Sequence, residues 1–306
     1  MSSEPVFLVT LSWNRKEDTL ACLASVMAMD PPPSHLILVD NASADGTPQA
    51  VAERFPQVQL LINSENLGFA AGANVGLREA LNGGAGYVLL INNDTVVAPD
   101  LLAALLAVAE GDPQVGVVAP KIYYDDPPDR VWYAGIMRRR WLPGLAFPGY
   151  GRRDALRYDR LRDVDYVTGC GLLVRAGVLR QVGLFDEIAF FMYHEDLDLS
   201  ERVRRAGYRI VYAPQAHMWH KESASTAPTS PQKWYYLARY IVPFYWRYYR
   251  WPGPALALYA LYVAARETAK GHVRVIPPFL RGICDGVRVT RQSVVKTMPG
   301  TGKTVG

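Results

Sequence analysis

The sequence predicts an α/β fold with a mainly parallel sheet flanked by helices. Apolar, strand-like runs alternate with helix-like stretches through the first 120 residues, a spacing typical of βαβ units. The first run, residues 6–13, is continuously apolar and rich in β-branched residues, as strands buried on both faces are. Polar residues follow the ends of these strands, where open α/β sheets bind their ligands.

Periodicity and capping signals predict the elements in order. Asn14 and Glu17 have the spacing of a capping box and are expected to begin the first helix. Later in the chain, residues 208–212 form a predicted strand. A loop that contains Pro214 follows this strand and ends at His220. Further strands are predicted at residues 35–39, 58–62, 87–91, 115–119 and 165–174, and further helices at residues 47–55, 70–81, 101–110, 175–182 and 199–206.

The 306 residues include three widely separated cysteines and no CxxC pair. This pattern argues against a zinc site or a disulfide framework and fits a reducing compartment. No basic, apolar leader precedes the first strand, so we expect a cytoplasmic protein. Residues 221–306 carry 13 Lys or Arg and 3 Asp or Glu, whereas the preceding residues are net acidic. The two parts therefore face different partners.

Asp40 opens an Asp-Asn-Ala-Ser-Ala-Asp-Gly segment at the end of the second strand. Its carboxylate can accept the imide N–H of a uracil or thymine ring, with Asn41 beside it. The alternative is an Asx-rich turn. A calcium loop is excluded because Ala52 stands where the bidentate glutamate belongs.

Small residues fill the segment from Asn66 through Gly68 to Asn74, which leads into a helix. Helix N-termini bind phosphate, and small residues let a ligand approach the backbone. The chain has neither a GxGxxG turn after its first strand nor a GxxxxGK[ST] loop. The first absence counts against a nicotinamide or flavin dehydrogenase, and the second excludes a P-loop NTPase.

The fourth strand ends in Asn92-Asn93-Asp94. One carboxylate flanked by amides can hold Mg²⁺ or Mn²⁺ together with phosphate oxygens, or it can simply form a polar turn.

Residues 186–220 place Glu195, Asp196 and Asp198 at the start of a helix and His220 after a following strand. Such a unit suits acid/base chemistry beside a metal-bound anion. The alternative is a solvated acidic first turn that interacts with the helix dipole. Residues 120–165, rich in Tyr, Trp and Arg, are interpreted as an irregular lid that contacts the acceptor, although the arginines can equally form a solvated face.

Six ordered stretches together resemble the family 2 glycosyltransferases, and among them the rhamnosyltransferase-like branch. They are VTLSWNR (9–15), VDNASADGT (39–47), NLGFAAGANVGL (66–77), LLINNDTVV (89–97), VTGCGLLVRAGVLRQVGLFDE (167–187) and FFMYHEDLDLSERVRRAGYRIVYAPQAHMWH (190–220). The resemblance implies a GT-A fold and sugar transfer from a nucleotide diphosphate with inversion at the anomeric carbon.

The resemblance also implies roles for individual residues. Asp196 matches the catalytic base, and Glu195 would hold acceptor hydroxyls, with weaker expectations of acceptor contact for Trp132 and His194. Asp94 matches the last aspartate of the DXD metal motif, with Asn92 in place of the first, and His220 completes a site for Mg²⁺ or Mn²⁺. The implied nucleotide-binding residues are Thr10, Asp40, Asn41, Asn66, Gly68, Asn74 and Asn93.

The branch implies L-rhamnose from dTDP-rhamnose as the donor sugar and a cell-surface glycan or lipid-linked acceptor. A UDP-sugar donor of hexose, N-acetylhexosamine or galactofuranose is the alternative. The rivals from other classes are a nucleotidyltransferase, disfavoured because no Gly-rich phosphate loop follows the first strand, and a non-catalytic sugar-nucleotide or glycan-binding module. No nucleic-acid partner is expected.

We expect a transferase domain at residues 1–222, a helical extension at 223–295 and a disordered tail at 296–306. Ten aromatic residues and three arginines lie within residues 234–251, a composition that suits a membrane interface. Residues 234–265 are therefore predicted to meet the inner face of the cell membrane, with Pro243 breaking or kinking the helix. The alternative is that these aromatics pack against protein, including a second subunit of a homo-oligomer.

Overall fold

The computed structural model describes residues 4–139, 144–221 and 230–297. The chain divides into two compact units, residues 1–223 and residues 224–306. Residues 140–143 of the predicted lid and residues 298–306 of the predicted tail lie outside the described residues.

The first unit is built on one mixed sheet with helices around it. Its strands are β1 Val6–Ser12, β2 His35–Asp40, β3 Gln59–Ile62, β4 Tyr87–Asn92, β5 Thr95–Val97, β6 Val115–Tyr124, β7 Val131–Tyr133, β8 Met137–Arg138, β9 Leu145–Ala146, β10 Arg162–Asp163, β11 Gly171–Arg175 and β12 Arg209–His220. Its helices are α1 Lys16–Met27, α2 Thr47–Arg54, α3 Gly68–Asn82, α4 Leu101–Gly111, α5 Ala176–Val182 and α6 Glu195–Arg205.

The strands of the main sheet follow the order β10-β12-β6-β11-β4-β1-β2-β3, while β5 pairs with β12 and β7 with β6. Strands β8 and β9 form a separate two-stranded sheet. Strands β4, β1, β2 and β3 run parallel, as do β6 and β12, whereas β11 runs antiparallel between β4 and β6. Leu8, Val9, Val88 and Leu89 in the middle of the sheet are fully buried. The βαβ spacing therefore predicted the parallel core, and the sheet gives the polar strand ends a rigid base.

The final strand differs from its prediction. β12 does not stop before Pro214 but continues to His220, with a register shift against β6 between Ala213 and His217. Such an irregularity accommodates a proline that cannot donate to the ladder. The strand then pairs with β5, which fixes the position of His220.

Two other local predictions were wrong. Asn14 does not cap α1, because its backbone is left-handed (φ 58°) and its Oδ1 accepts a 2.9 Å hydrogen bond from the Ala44 N–H. Arg15 holds the N-cap position without a side-chain cap. The predicted lid also begins too early, since residues 120–124 belong to β6.

The second unit consists of α7 Pro231–Tyr248, α8 Pro252–Ala269 and α9 Ile276–Thr297. Helix α7 continues through Pro243, so of the two expected effects of this proline, a break or a kink, the break does not occur. Trp234 and Phe279 pack edge to face with ring centroids 6.0 Å apart, in a core that also holds Ala238, Val263 and Val275. Among the described helices none is long and apolar enough to cross a membrane.

Candidate active site at the carboxyl edge of the sheet

Three neighbouring strands end in polar residues at one edge of the sheet. Ser12 of β1 is in register with Asp40 of β2, and the preceding Leu11 is in register with Asn92 of β4. The parallel arrangement therefore gathers these strand ends, as the alternation of strands and helices predicts.

Asp40 and Thr10 form a buried polar site below this edge. Asp40 is fully buried, and its Oδ1 accepts a 2.8 Å hydrogen bond from the Ser43 N–H. Within the described residues, Asp40 Oδ2 and Thr10 Oγ1 have no hydrogen-bond partner. One oxygen of Asp40 thus builds the Asx turn while the other is available to a ligand, so the two interpretations of this segment are compatible.

Asn41 and Asn74 are engaged within the protein. Asn41 Nδ2 donates to the Gly68 carbonyl at 2.9 Å, and its Oδ1 accepts from Asn63 Nδ2 at 2.8 Å. Asn74 bonds both the N–H and the carbonyl of Phe185 and donates to a carboxylate oxygen of Glu187 at 2.6 Å. These two amides hold backbone turns in place, and their nucleotide-binding roles stay predictions.

The N-terminus of α3 is occupied by another segment of the chain. The Phe191 carbonyl accepts hydrogen bonds from the N–H groups of Phe69 (2.8 Å) and Ala70 (3.4 Å), while Asn66 Oδ1 accepts from the Gly68 N–H. Gly68 has φ +80°, and a Cβ there would lie 2.5 Å from the Phe191 carbonyl oxygen. The glycine is therefore required by this close packing, and the N–H groups expected to meet phosphate are satisfied internally.

A carboxylate and an imidazole meet beside the end of β4. Asp94 Oδ1 lies 3.2 Å from His220 Nε2, because β5 pairs with the end of β12. Asp94 Oδ1 and His220 Nδ1 are both buried and lack a hydrogen-bond partner in the described part of the chain. The Lys221 N–H donates to the Asp94 carbonyl at 2.8 Å and fixes the loop. Asn93 turns away, donating to Thr19 Oγ1 at 2.8 Å.

Trp132 packs against the imidazole of this pair. Its ring lies edge to face on His220, with centroids 4.5 Å apart. The indole Nε1 is buried and has no hydrogen-bond partner among residues that the structure describes. An indole N–H is a donor only, so Trp132 offers this site one unused donor.

The described residues contain no group of three or more His, Cys, Asp and Glu side chains placed to hold a metal. Asp94 and His220 are thus a two-residue set of one oxygen and one nitrogen ligand. A divalent cation held mainly by phosphate oxygens requires only one or two such protein ligands.

Glu195 and Asp196 begin α6. Asp196 is partly exposed, and its carboxylate accepts hydrogen bonds from the N–H groups of Gly169 (3.1 Å) and Leu197 (2.8 Å). Burial raises the pKa of Asp196 to about 6, and these N–H groups oppose the rise. Glu195 is 5% exposed, and burial together with the charge of Asp196 raises its pKa well above the usual range. His194 holds the N-cap with a left-handed backbone, φ 68°.

The turn at Gly169 and Cys170 connects the two halves of the site. The Cys170 carbonyl accepts a 3.0 Å hydrogen bond from the Asn92 N–H, while the adjacent Gly169 N–H binds Asp196. Burial raises the pKa of the Cys170 thiol, and the charges of Asp94 and Asp196 both add to the rise. The strand-like pattern of residues 165–174 predicts this turn only as part of a strand, although its Gly-Cys-Gly interruption is a signal of close backbone approach.

Lys121 anchors the lid that follows β6. It is fully buried, and its Nζ pairs with Asp154 at 3.0 Å and also with Asp159. Tyr123 donates a 2.7 Å hydrogen bond to the same Asp154 carboxylate. No local sequence pattern predicts these ion pairs, because Lys121 lies on β6 and the two aspartates lie on a loop, 33 and 38 residues further along the chain.

Comparison with known proteins identifies the family. The sequence profile of the family described as "Glycosyltransferase like family 2" matches residues 4–236. The chain belongs to glycosyltransferase family 2. This family 2 chain is 35% identical over 223 residues to the N-acetylglucosaminyl-diphospho-decaprenol L-rhamnosyltransferase of Mycobacterium tuberculosis, covering 67% of this chain and 72% of that protein. It is 29% identical over 211 residues to galactofuranosyltransferase GlfT1 of the same organism, covering 67% and 66%.

Solved structures support the fold of this family 2 chain. Mannosyltransferase PcManGT of Pyrobaculum calidifontis, in complex with GDP-Man and Mn²⁺, matches with a TM-score of 0.59 at 18% identity, covering 97% of this chain and 80% of that one. GalNAc-T7 with UDP, GalNAc and Mn²⁺ matches with a TM-score of 0.61 at 12% identity, covering 78% and 47%. These likenesses confirm the predicted GT-A fold.

Proposed function

We propose that this glycosyltransferase moves L-rhamnose from dTDP-L-rhamnose to a lipid-linked glycan acceptor, with inversion at the anomeric carbon. The L-rhamnosyltransferase relative supports both the donor sugar and the class of acceptor. The observation that carries the chemistry is Asp196, a partly exposed residue at the start of α6 whose carboxyl has a pKa raised by burial to about 6. Because a lipid-linked acceptor resides in a membrane, the proposal includes a cytoplasmic enzyme that works at the inner face of the cell membrane.

Asp196 is the proposed general base. In a single displacement the acceptor hydroxyl loses its proton as its oxygen attacks the anomeric carbon, and the bond to the diphosphate oxygen breaks on the opposite face. A base with a pKa near the working pH serves this step best, and Asp196 is largely ionised at pH 7. Burial and the charge of Asp196 raise the pKa of Glu195 well above its usual range, which favours the protonated form that can donate a hydrogen bond to the acceptor. The different environments of the two carboxyls thus assign their roles.

Asp94 and His220 are the proposed protein ligands of a divalent cation. Asp94 Oδ1 and His220 Nε2 lie 3.2 Å apart, close enough to share one ion. Asp94 Oδ1 is also a buried polar atom without a hydrogen-bond partner among the described residues, which is costly unless a ligand satisfies it. The imidazole favours Mn²⁺ over Mg²⁺, which prefers oxygen ligands. When bound, the cation would neutralise charge that develops on the departing nucleotide diphosphate. Trp132 packs against His220 and restricts its ring.

The proposed nucleoside site uses Asp40 and Thr10. The unpartnered Asp40 Oδ2 can accept the imide N–H of the base. Asn41, Asn66 and Gly68 support this pocket through their mutual hydrogen bonds. Thymine and uracil share the imide, so the site accepts either base.

A UDP-sugar donor is the second candidate. It is favoured by the 29% identity to galactofuranosyltransferase GlfT1, and Staphylococcus aureus TarS in complex with UDP-GlcNAc shares the fold with a TM-score of 0.59 at 16% identity, covering 95% of this chain and 82% of that one. Family membership argues against the nucleotidyltransferase alternative.

A donor screen tests the proposal. Purified protein with Mn²⁺ or Mg²⁺ is given dTDP- and UDP-sugars with a lipid-diphosphate N-acetylglucosamine acceptor, and both glycolipid product and released nucleotide are measured. We expect rhamnosylated product from dTDP-rhamnose, lost in Asp196→Asn. Product from a UDP-sugar alone would establish the second candidate. Donor binding without turnover for every sugar would establish a binding module instead.

A further inference from the structure

Helix α8 presents an uncharged face to solvent over most of its length. Leu258, Leu261 and Tyr262 are exposed by 53%, 68% and 41%, at spacings of three and four residues that place them on one side of the helix. Trp251, directly before the helix, is 68% exposed. The other exposed positions of the first four turns are Gly253, Pro254, Ala257 and Ala265. Scattered exposed leucines are normal in soluble proteins, but a contiguous apolar face marks a contact surface.

The opposite side of α8 packs into the core of the second unit. Val263 is 2% exposed and lies in one apolar cluster with Trp234 of α7 and Phe279 of α9. Phe244 and Tyr245 of α7 are each 1% exposed. Among the ten aromatic residues that indicated a membrane segment in the sequence, these three residues of α7 are buried, six are partly exposed and Trp251 is exposed, whereas the outer face of α8 is open to solvent along most of the helix.

Cations lie at both ends of this face. Arg250 precedes Trp251 and α8, and Lys270 and Arg274 follow the helix, all three exposed. Residues 230–290 contain nine Lys or Arg and only two Asp or Glu. Positive charge around an apolar helix face is complementary to a surface that is anionic at its headgroups and apolar beneath.

We infer that the outer face of α8 docks on the surface of a bilayer containing anionic lipid. The 18 residues of α8 span about 27 Å along the helix axis, and the helix lies in the plane of the interface. Leu258 and Leu261 enter the boundary between headgroups and acyl chains, where Trp251 and Tyr262 are also well placed. The cations at the ends meet lipid phosphate. This inference rests on the proposed membrane location and adds the surface that produces it.

A second copy of the chain fits the same face less well. Two α8 helices packed side by side would bring cationic ends together in either orientation, since Arg250 stands at one end and Lys270 and Arg274 at the other. Like charges juxtaposed across an interface oppose association. Anionic lipid meets no such repulsion.

Vesicle flotation of the full chain tests the inference. Leu258→Glu/Leu261→Glu is compared with wild type on vesicles of phosphatidylcholine alone and with about one quarter phosphatidylglycerol. Ile62→Glu, at a 62% exposed apolar position of β3 in the first unit, is the matched control. We expect wild type and control to float with the anionic vesicles, and the double variant to lose at least about tenfold in partitioning. Unchanged circular dichroism and donor hydrolysis would show that the variant is folded.

Three results would overturn the inference: equal flotation of the double variant, no flotation of wild type, or conversion by the double variant of a vesicle-independent dimer into monomers in sedimentation. The last result would assign α8 to a subunit interface. Because flotation requires no sugar transfer, its failure is distinguishable from failure of the proposed transferase activity.

Discussion

Asp94 Oδ1 lies 3.2 Å from His220 Nε2, although one residue precedes β5 and the other ends β12. The antiparallel pairing of those strands brings the two side chains together, with Thr95 directly opposite His220. Two buried atoms of this pair have no hydrogen-bond partner within the described ranges. Buried polar atoms usually have a partner, so a ligand or an ordered water is expected at them.

We therefore predict that His220→Ala lowers the affinity for Mn²⁺ but has little effect on the stability of the fold. Loss of one ligand removes affinity, so the Mn²⁺ concentration for half-maximal activity should rise by roughly 10–100-fold. Metal titration of initial rates measures this. His217→Ala on the same strand is the control and should leave the titration unchanged. Equal Mn²⁺ affinity in wild type and His220→Ala would remove His220 from the metal site.

Asp196→Asn should lower kcat by about 10²–10⁴-fold while donor affinity stays within about twofold of wild type. The amide retains the size of the side chain but cannot accept the acceptor's proton. Single-turnover rates and calorimetric titration with dTDP measure the two effects. A variant that retained kcat would show that another group takes the proton.

The rate should fall in acid because the base must be ionised. Burial raises the pKa of Asp196 to about 6, so kcat/KM is expected to be nearly flat above about pH 7 and to fall about tenfold per pH unit well below pH 6. A pH–rate profile at saturating metal checks this. Since Glu195 adjoins Asp196, the observed midpoint belongs to the pair. A limb near pH 4 would contradict a base with a raised pKa.

The sequence predicted the scaffold better than it predicted the bonds within the site. Continuous apolar strands and periodic helices are local signals, and β1, β2 and β4 follow them closely. The occupancy of the α3 N-terminus by the Phe191 carbonyl depends on a contact between distant segments. No local pattern encodes such a contact.

The same distinction explains the asparagines and the last strand. Asn74 has a residue type typical of ligand sites, but the turn at Phe185 engages its amide. Pro214 locally indicates the end of a strand, whereas the register shift after Ala213 lets β12 continue to His220. In both cases tertiary packing outweighs the local preference.

Glu195→Gln should stabilise the protein at alkaline pH. Burial and the charge of Asp196 raise the pKa of Glu195 in the folded state, so the folded chain binds that proton more tightly than the unfolded chain. The contribution of this proton to the free energy of unfolding is fully present below the pKa of the unfolded state, about 4.3, and is lost as the pH rises through the pKa of the folded state. The variant lacks this loss, and its Tm should exceed that of wild type at pH 8 by about 2–4 °C for each kcal/mol recovered.

Thermal unfolding at pH 4.5 and pH 8 measures the difference, which should be smaller at the lower pH. Glu53→Gln on the exposed side of α2 is the control and should leave Tm unchanged at both values. If Glu195→Gln raised Tm equally at both pH values, ionisation of Glu195 would not be what destabilises the folded protein.

Asp40→Asn should weaken nucleotide binding without affecting the metal pair. Asp40 Oδ2 is a buried acceptor without a partner in the described chain, and the amide that replaces it can present N–H toward the imide N–H of the base. Loss of a charged hydrogen bond costs about 1.5–3 kcal/mol, or roughly 10–100-fold in Kd. Calorimetry with dTDP and UDP measures it, and both should weaken alike because the two bases share the imide. Asp45→Asn is the control, since both oxygens of Asp45 accept hydrogen bonds within the protein, from the Lys16 N–H at the start of α1 and the Thr47 N–H at the start of α2. Unchanged dTDP affinity in Asp40→Asn would place the base elsewhere along the sheet edge.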